Sequence, residues 1–381
     1  MSLLRELSES QKLDWLHLLR CDNIGPRHFH YLLSRFSTAE KALKALPELI
    51  KSGRMANIRI TPRDEAEREY AATLAKNIRI LAFCEPAYTP ALREIDTPPP
   101  LLFVRGPLDL NRPVVSLVGS RNASTAGLVF AERLARGLGE AGYVIASGLA
   151  RGIDAKAHRA GLATGTLAVL AGGHNRIYPS EHVQLAEDIA ISGALMSEMP
   201  LNWEPRGRDF PRRNRLVAGV ALATVVIEAA LRSGSLITAR LANEQGRQVF
   251  AVPGSPLDPR AEGTNNLLRE GASLCTQVSD VVDALAAVRQ SGLPLRDLFS
   301  PGPSAFQESE DEWIGAPFTA DVAEGEDVRA LVSALLGPVP VALDDLIRSS
   351  GLEAQVVHSV LLDLELDGSL QRHGNGMLSL L

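Results

Sequence analysis

Between Val114 and about Ala287 the chain alternates short, almost wholly apolar runs with stretches of helical periodicity. The apolar runs are Val114–Val118, Tyr143–Ala146, Thr166–Leu170, Ala194–Ser197, Thr224–Ile227 and Gln248–Val252. Helical stretches fall at Thr125–Glu140, Ile153–Ala163, Glu181–Ile191, Ser235–Gln245 and Asn265–Glu270. Apolar residues without in/out alternation belong to strands buried on both faces, and the helices between them supply the cover. The pattern predicts an α/β fold with a doubly wound, mostly parallel sheet.

The flanks read differently. Residues 1–75 are short helices, with a helix-hairpin-helix at Leu18–Phe36 turning through Asn23-Ile24-Gly25-Pro26. Amides at the second helix's start are able to hold a phosphate, and the hairpin serves equally well for packing alone or for contact with protein. The α/β domain is expected over 76–290. Residues 291–325 gather Pro, Gly, Ser and acids and are expected to be a linker. From 326 to 381, helices at Val328–Leu336, Leu343–Ser349 and Glu353–Leu366 precede a strand, a Gly-Asn-Gly turn and a strand, the order of a winged helix. Its candidate recognition helix, Glu353–Leu366, carries three acids and no Lys or Arg, so it is expected to repel duplex DNA and to dock protein or merely pack.

The net charge of -6 conceals an asymmetry. Arg105–Ser255 holds 17 basic against 12 acidic residues, whereas Asp297–Leu381 holds 3 against 15, so an anionic partner is expected at the centre alone. No run approaches the roughly 18 apolar residues of a membrane span, and the start lacks a secretory pattern, so a cytoplasmic protein without a membrane partner is expected. Cys21, Cys84 and Cys275 lie far apart with no CxxC motif or His-rich neighbour, which predicts neither a disulfide nor a metal site.

Ligands of open α/β sheets bind at the carboxyl ends of the strands, so the loops there carry the functional reading. After the first strand, Gly119-Ser120-Arg121-Asn122-Ala123-Ser124-Thr125 leads into a capped helix, an anion site with one Arg. GxGxxG spacing and a Walker lysine are both absent, which predicts no dinucleotide or triphosphate cofactor. After the second strand, Gly148 and Gly152 admit a close backbone approach and Arg151 supplies a charged fork. Asp154 and His158, four apart, read better as a helix cap and a local hydrogen bond than as an acid-base pair. The third loop holds Gly172, Gly173, His174, Arg176 and Tyr178. Arg206–Arg215 then packs five arginines into ten residues beside Phe210, an array suited to phosphates and an unpaired base. Alternatively, some of these arginines pair with Glu198, Glu204 or Asp209. Ser235, in Gly234–Thr238, opens a further helix. Binding groups converge, with no nucleophile-base pair, metal cluster or paired carboxylates.

These residues, in this order, resemble the DNA-processing protein A (DprA/Smf) family. The matching segments are YTPAL at Tyr88–Leu92, VGSR at Val118–Arg121, SGLARGID at Ser147–Asp154 with Ala157-His158, GG....YP at Gly172–Pro179 and SE.P at Ser197–Pro200. They continue with FP.RNR at Phe210–Arg215, EA....GSLITA at Glu228–Ala239, GR.VFAVPG at Gly246–Gly254 and G.N.L...GA at Gly263–Ala272, so the similarity runs to about Leu285. The resemblance implies a Rossmann-like domain that binds single-stranded DNA without strong sequence preference, helps load the recombinase RecA in natural transformation, forms a homodimer and catalyses nothing. The implied DNA-binding residues are Gly119, Ser120, Arg121, Gly148, Arg151, Gly173, Arg176, Arg208, Phe210, Arg212, Arg213, Asn214, Arg215 and Ser235. The family often places a lysine near GG....YP or before FP.RNR, where this chain has His174, Arg176, Arg206 and Arg208. A Rossmann-like phosphoribohydrolase is the alternative, but its PGGxGTxxE motif is absent.

Overall fold

The computed structural model describes residues 4–290 apart from 53, 54 and 56, and, near the C-terminus, 328–329, 332–333, 336, 341–350, 352–366, 369–372 and 377–380. The chain divides into two compact units, Met1–Gly302 and Pro303–Leu381.

The first unit begins with four helices, α1 (Glu9–Arg20), α2 (Pro26–Phe36), α3 (Ala39–Lys51) and α4 (Arg63–Leu74). Ser8 starts α1 through a reciprocal capping box with Gln11, and Pro26 at the first turn of α2 sets the hairpin. Trp15, Leu16, Phe29 and Leu46 are buried in one apolar cluster with Ile78, Ile80, Leu101 and Phe103. The helices therefore share a core with the two strands that follow, β1 (Ile78–Ala82) and β2 (Leu101–Arg105). Between those strands lies the single turn α5 (Pro90–Arg93).

The alternating region forms β3 (Val114–Gly119), α6 (Thr125–Glu140), β4 (Val144–Ser147), α7 (Ile153–Gly161), β5 (Thr166–Val169), α8 (Val183–Ser192) and β6 (Ala194–Ser197). It continues through α9 (Asp209–Gly219), β7 (Ala223–Ile227), α10 (Gly234–Glu244), β8 (Gln248–Ala251), α11 (Glu262–Arg269), β9 (Ser273–Leu274) and α12 (Val278–Gln290). The nine-stranded order is β1-β2-β6-β5-β4-β3-β7-β8-β9. From β6 to β9 every pairing is parallel, whereas β1 and β2 are antiparallel additions on one edge. Those two strands were not anticipated from the sequence, because only the single turn α5 separates them and the strand-helix rhythm is missing there; nor was β9, which has two residues.

Both faces of the sheet are covered, as the continuous apolar runs predict. Val118, Ala146, Val169 and Val226 pack with Leu216, Val217 and Ala239 on one face. On the other, Val115, Leu117, Ile145 and Val225 meet Leu134, Leu138, Ile153 and Leu285. Each Val, Leu or Ile among them, fully buried, contributes roughly 1.5–3 kcal/mol. The chain turns from the β3–β4 side of the sheet to the β7–β8 side at the β3/β7 boundary, with Val118 opposite Val226 and Gly119 opposite Ile227. At such a switch point the flanking loops part and leave a crevice.

Four histidines are buried in this unit, His17, His158, His174 and His182, and His158 and His174 among them have depressed pKa values. His158 Nδ1 meets Thr166 Oγ1 at 2.7 Å, and His174 Nε2 meets the Phe103 carbonyl at 2.9 Å. Burial depresses their pKa values, to about 3 and about 4. Both folded values lie below the unfolded one, so this stabilisation is complete above about pH 6.5 and is lost as pH falls, when only the unfolded chain takes up the protons. Acidification from pH 7 to 5 is expected to cost about 2 kcal/mol per histidine. His174→Gln is expected to flatten the pH dependence of Tm; parallel curves for variant and wild type would contradict it.

In the second unit, β10 (Val341–Ala342), β12 (Met377–Leu380) and β11 (Leu370–Arg372) form a three-stranded sheet in that order, beside α13 (Leu343–Ser350) and α14 (Ala354–Leu366). Val332, Leu346, Val357, Leu361 and Leu378 form its core. This is the helix-and-hairpin order of a winged helix, with β10 as a third strand. The linker expected over 291–325 and the turn at 374–376 lie outside the described residues.

Candidate nucleic-acid interface

A crevice of about 490 Å³ opens at the β3/β7 switch point. One wall is the loop after β3, with Gly119, Ser120, Arg121 and Asn122; the other is the loop after β7, with Ala230, Arg232, Ser233, Gly234 and Ser235. Gly148 and Asp154 lie on the β4 side, and α9 presents Phe210, Arg213, Asn214 and Val217. The starts of α7 and α10 border the space; the Ile153 amide already donates to the Ser120 carbonyl at 3.2 Å and the Ser235 amide to Ser233 Oγ at 3.3 Å, so it is the positive ends of the two helix dipoles that favour an anion there. At Gly152 the backbone has φ +71°, and a Cβ there would lie 2.8 Å from the Arg121 carbonyl oxygen, so glycine is needed where the second loop crosses the first.

The arginine-rich segment was not anticipated as a helix. Its helical geometry sorts its residues, since positions 210, 213, 214 and 217 follow the i, i+3, i+4, i+7 spacing of one face. Arg212 and Arg215 point elsewhere and share Glu198. The carboxylate accepts from Arg212 Nε at 2.9 Å and from the Arg215 guanidinium, which also donates to the Thr97 carbonyl at 2.8 Å. Asp209 accepts from Trp203 Nε1 and from the Arg206 amide, which fixes the turn into α9.

Arg213 lines the crevice but is only 6% exposed. Its Nη1 donates to the carbonyls of Gly148 and Val169, and Asp154 lies close enough to stabilise its charge. Burial nevertheless lowers its pKa to about 10. Asp154 accepts from the amides of Gly148 and Ala150 at 3.1 and 3.3 Å, and burial raises its pKa against the pull of Arg213. The side chain read as a phosphate fork is thus spent on the backbone, for two buried carbonyls and a buried carboxylate left it no exposed alternative.

Arg121 is the contrasting case. It is exposed, its guanidinium carbon sits 5.8 Å from the Phe210 ring centroid, and among the described residues it forms no ion pair. Phe210 in turn meets Tyr178 edge-on at 5.3 Å. The crevice lip therefore offers a free cation beside an aromatic pair.

Of the residues read from the sequence, Gly119, Ser120, Arg121, Gly148, Phe210, Arg213, Asn214 and Ser235 line this one crevice. Arg151 stands outside, held by Glu181 through two hydrogen bonds of 2.8 and 2.6 Å. Gly173 is buried, its amide donating to the Trp203 carbonyl at 2.9 Å, and Arg176 and Arg208 are exposed beyond the lining. Arg232 was missed; the glycine and serines after it were the available signal. Among the described residues, no group of three or more His, Cys, Asp or Glu is placed to hold a metal, and no helix is long and apolar enough to cross a membrane.

Residues 79–286 match the profile of the family described as DNA recombination-mediator protein A. Residues 9–72 match the DprA-like N-terminal HHH domain and 316–376 the DprA winged helix domain. Protein Smf of a Synechocystis strain is 31% identical over 95% of this chain and 97% of its own. Among solved structures, DNA processing protein A from Streptococcus pneumoniae aligns with a TM-score of 0.53 and 33% identity over 68% of this chain and 98% of that one. The Helicobacter pylori protein of that name, which has a unique single-stranded DNA binding mode, gives 0.51 and 28% over 55% and 96%. With three family domains in sequence and a relative matched along nearly its whole length, the chain belongs to the DNA processing protein A (DprA/Smf) family.

Proposed function

We propose that this protein binds single-stranded DNA in the switch-point crevice, without strong sequence preference, and delivers the bound strand to the recombinase RecA. The observation that carries the strand-binding reading is Arg121, an exposed cation with no ion pair among the described residues, poised over Phe210 at the lip of a cavity bordered by helix starts. Phosphate is met by the cation and the helix dipoles, and an unpaired base by the aromatic face. Backbone and stacking contacts are indifferent to sequence, and a duplex keeps its bases stacked away from Phe210.

Binding without chemistry is consistent with Asp154, which accepts from loop amides, and with His158, whose Nδ1 meets Thr166 Oγ1. RecA delivery and a homodimer in natural transformation follow the family relationship. The acidic second unit is unsuited to DNA, so removal of residues 303–381 is expected to leave single-strand affinity within about twofold. Loss of all binding in a folded truncated protein would move the site there.

The direct test compares a labelled single strand with its duplex by fluorescence anisotropy; equal affinity for both would refute the reading. RecA assembly, followed through its ATP hydrolysis, is expected to start sooner on strands carrying wild-type protein. An unchanged lag would remove RecA and leave strand binding.

A further inference from the structure

Beside the start of α6 lies a second cavity of about 350 Å³, lined by Ser124, Gly127, Phe130, Glu228 and Asp258 among others and sharing no lining residue with the crevice. Glu228 is the first residue beyond β7 and has φ +52°, in the left-handed region that a glutamate rarely occupies. That conformation directs its carboxylate into the start of α6. One oxygen accepts from the Ser124 amide at 2.8 Å, and the other accepts from the Ser124 hydroxyl. The same hydroxyl caps α6 by accepting from the Gly127 amide at 3.0 Å. A Cβ at position 127 would lie 2.5 Å from the Glu228 carboxyl carbon, so the helix keeps a glycine where the carboxylate rests.

Two residues past Glu228 the chain becomes the opposite wall of the crevice, from Ala230 to Ser235. A single side chain thus joins the two loops that face each other across the site without itself lining it. An acid so near an anion site opposes phosphate electrostatically, so its presence calls for a compensating role. We infer that Glu228 is a positioning residue for DNA binding, holding the Ser120–Asn122 wall, and with it Arg121, at the spacing that receives a phosphate. This inference rests on the crevice being the DNA site.

The test uses the full chain and a labelled 30-nucleotide strand. Glu228→Ala is expected to weaken binding about tenfold, the loss of hydrogen bonds that order the loop. Glu228→Gln retains an acceptor for the Ser124 amide and a donor for its hydroxyl while removing the opposing charge, so it is expected to bind as wild type does or more tightly. In an Arg121→Ala background, Glu228→Ala is expected to add almost nothing, because the wall it holds has lost its cation. If Glu228→Ala does not fold, Ser124→Ala replaces it; it loses the hydroxyl's bond to the carboxylate but keeps the amide's, so a smaller loss of about threefold is expected, again masked by Arg121→Ala. Overturning results are a folded Glu228→Ala or Ser124→Ala that binds as wild type, a Gln variant as weak as Ala, or additive losses with Arg121→Ala. Failure of wild type to bind the strand would instead sink the functional reading itself.

Discussion

Replacing Arg213 by alanine is expected to lower the stability of the first unit by about 3–5 kcal/mol, the usual result of leaving a buried charge without its partner. For a unit of this size that is a fall in Tm on the order of 10 °C. The carbonyls of Gly148 and Val169 lose their common donor, and Asp154 keeps its neutral donors, the Gly148 and Ala150 amides and the Ser147 side chain, without the opposing charge. Asp154 already has a raised pKa from burial, with Arg213 the chief opposing influence. Because the folded value lies above the unfolded one, the carboxylate's penalty grows as pH rises through that interval and shrinks as pH falls. The deficit of Arg213→Ala is therefore expected to narrow on acidification relative to wild type. Thermal unfolding of the two proteins between pH 7 and 4 measures this; equal stability at pH 7 would show that Arg213 does not hold the site together. A loss of DNA binding in Arg213→Ala is accordingly no evidence of a phosphate contact.

Arg121→Ala is expected to do the reverse, lowering single-strand affinity by about 10- to 100-fold, the range of one or two charge-assisted hydrogen bonds. Its stability is expected to stay within about 0.5 kcal/mol of wild type, since the side chain is exposed and forms no ion pair among the described residues. Anisotropy and thermal unfolding on the same preparation separate the two effects. An affinity loss accompanied by a large fall in Tm would place Arg121 in the framework rather than at the ligand.

The contrast between these arginines marks what the sequence displays. Six of the seven parallel strands were legible because their apolar runs recur with helices between them, whereas the two-residue β9 is too short to show; the crevice loops were legible because strand ends in such sheets bind ligands. Arginine density alone gave Arg212, Arg213 and Arg215 the same meaning as Arg121. The structure separates them through contacts distant along the chain: Glu198 takes two, and the carbonyls of Gly148, just after β4, and Val169, at the end of β5, take the third. Glu198 had been one of the possible partners, but no local pattern shows which side of α9 faces it. Glu228 was equally opaque, since its role depends on a left-handed backbone and on Ser124, 104 residues away.

The most direct test of the crevice as the DNA site is a salt series with a labelled 30-nucleotide strand, using wild type and Arg121→Ala. Log affinity is expected to fall linearly with log salt, with the variant's slope shallower by about 0.7 for the one phosphate no longer neutralised. Superimposable lines for the two proteins would mean that Arg121 meets no phosphate and that the strand binds elsewhere.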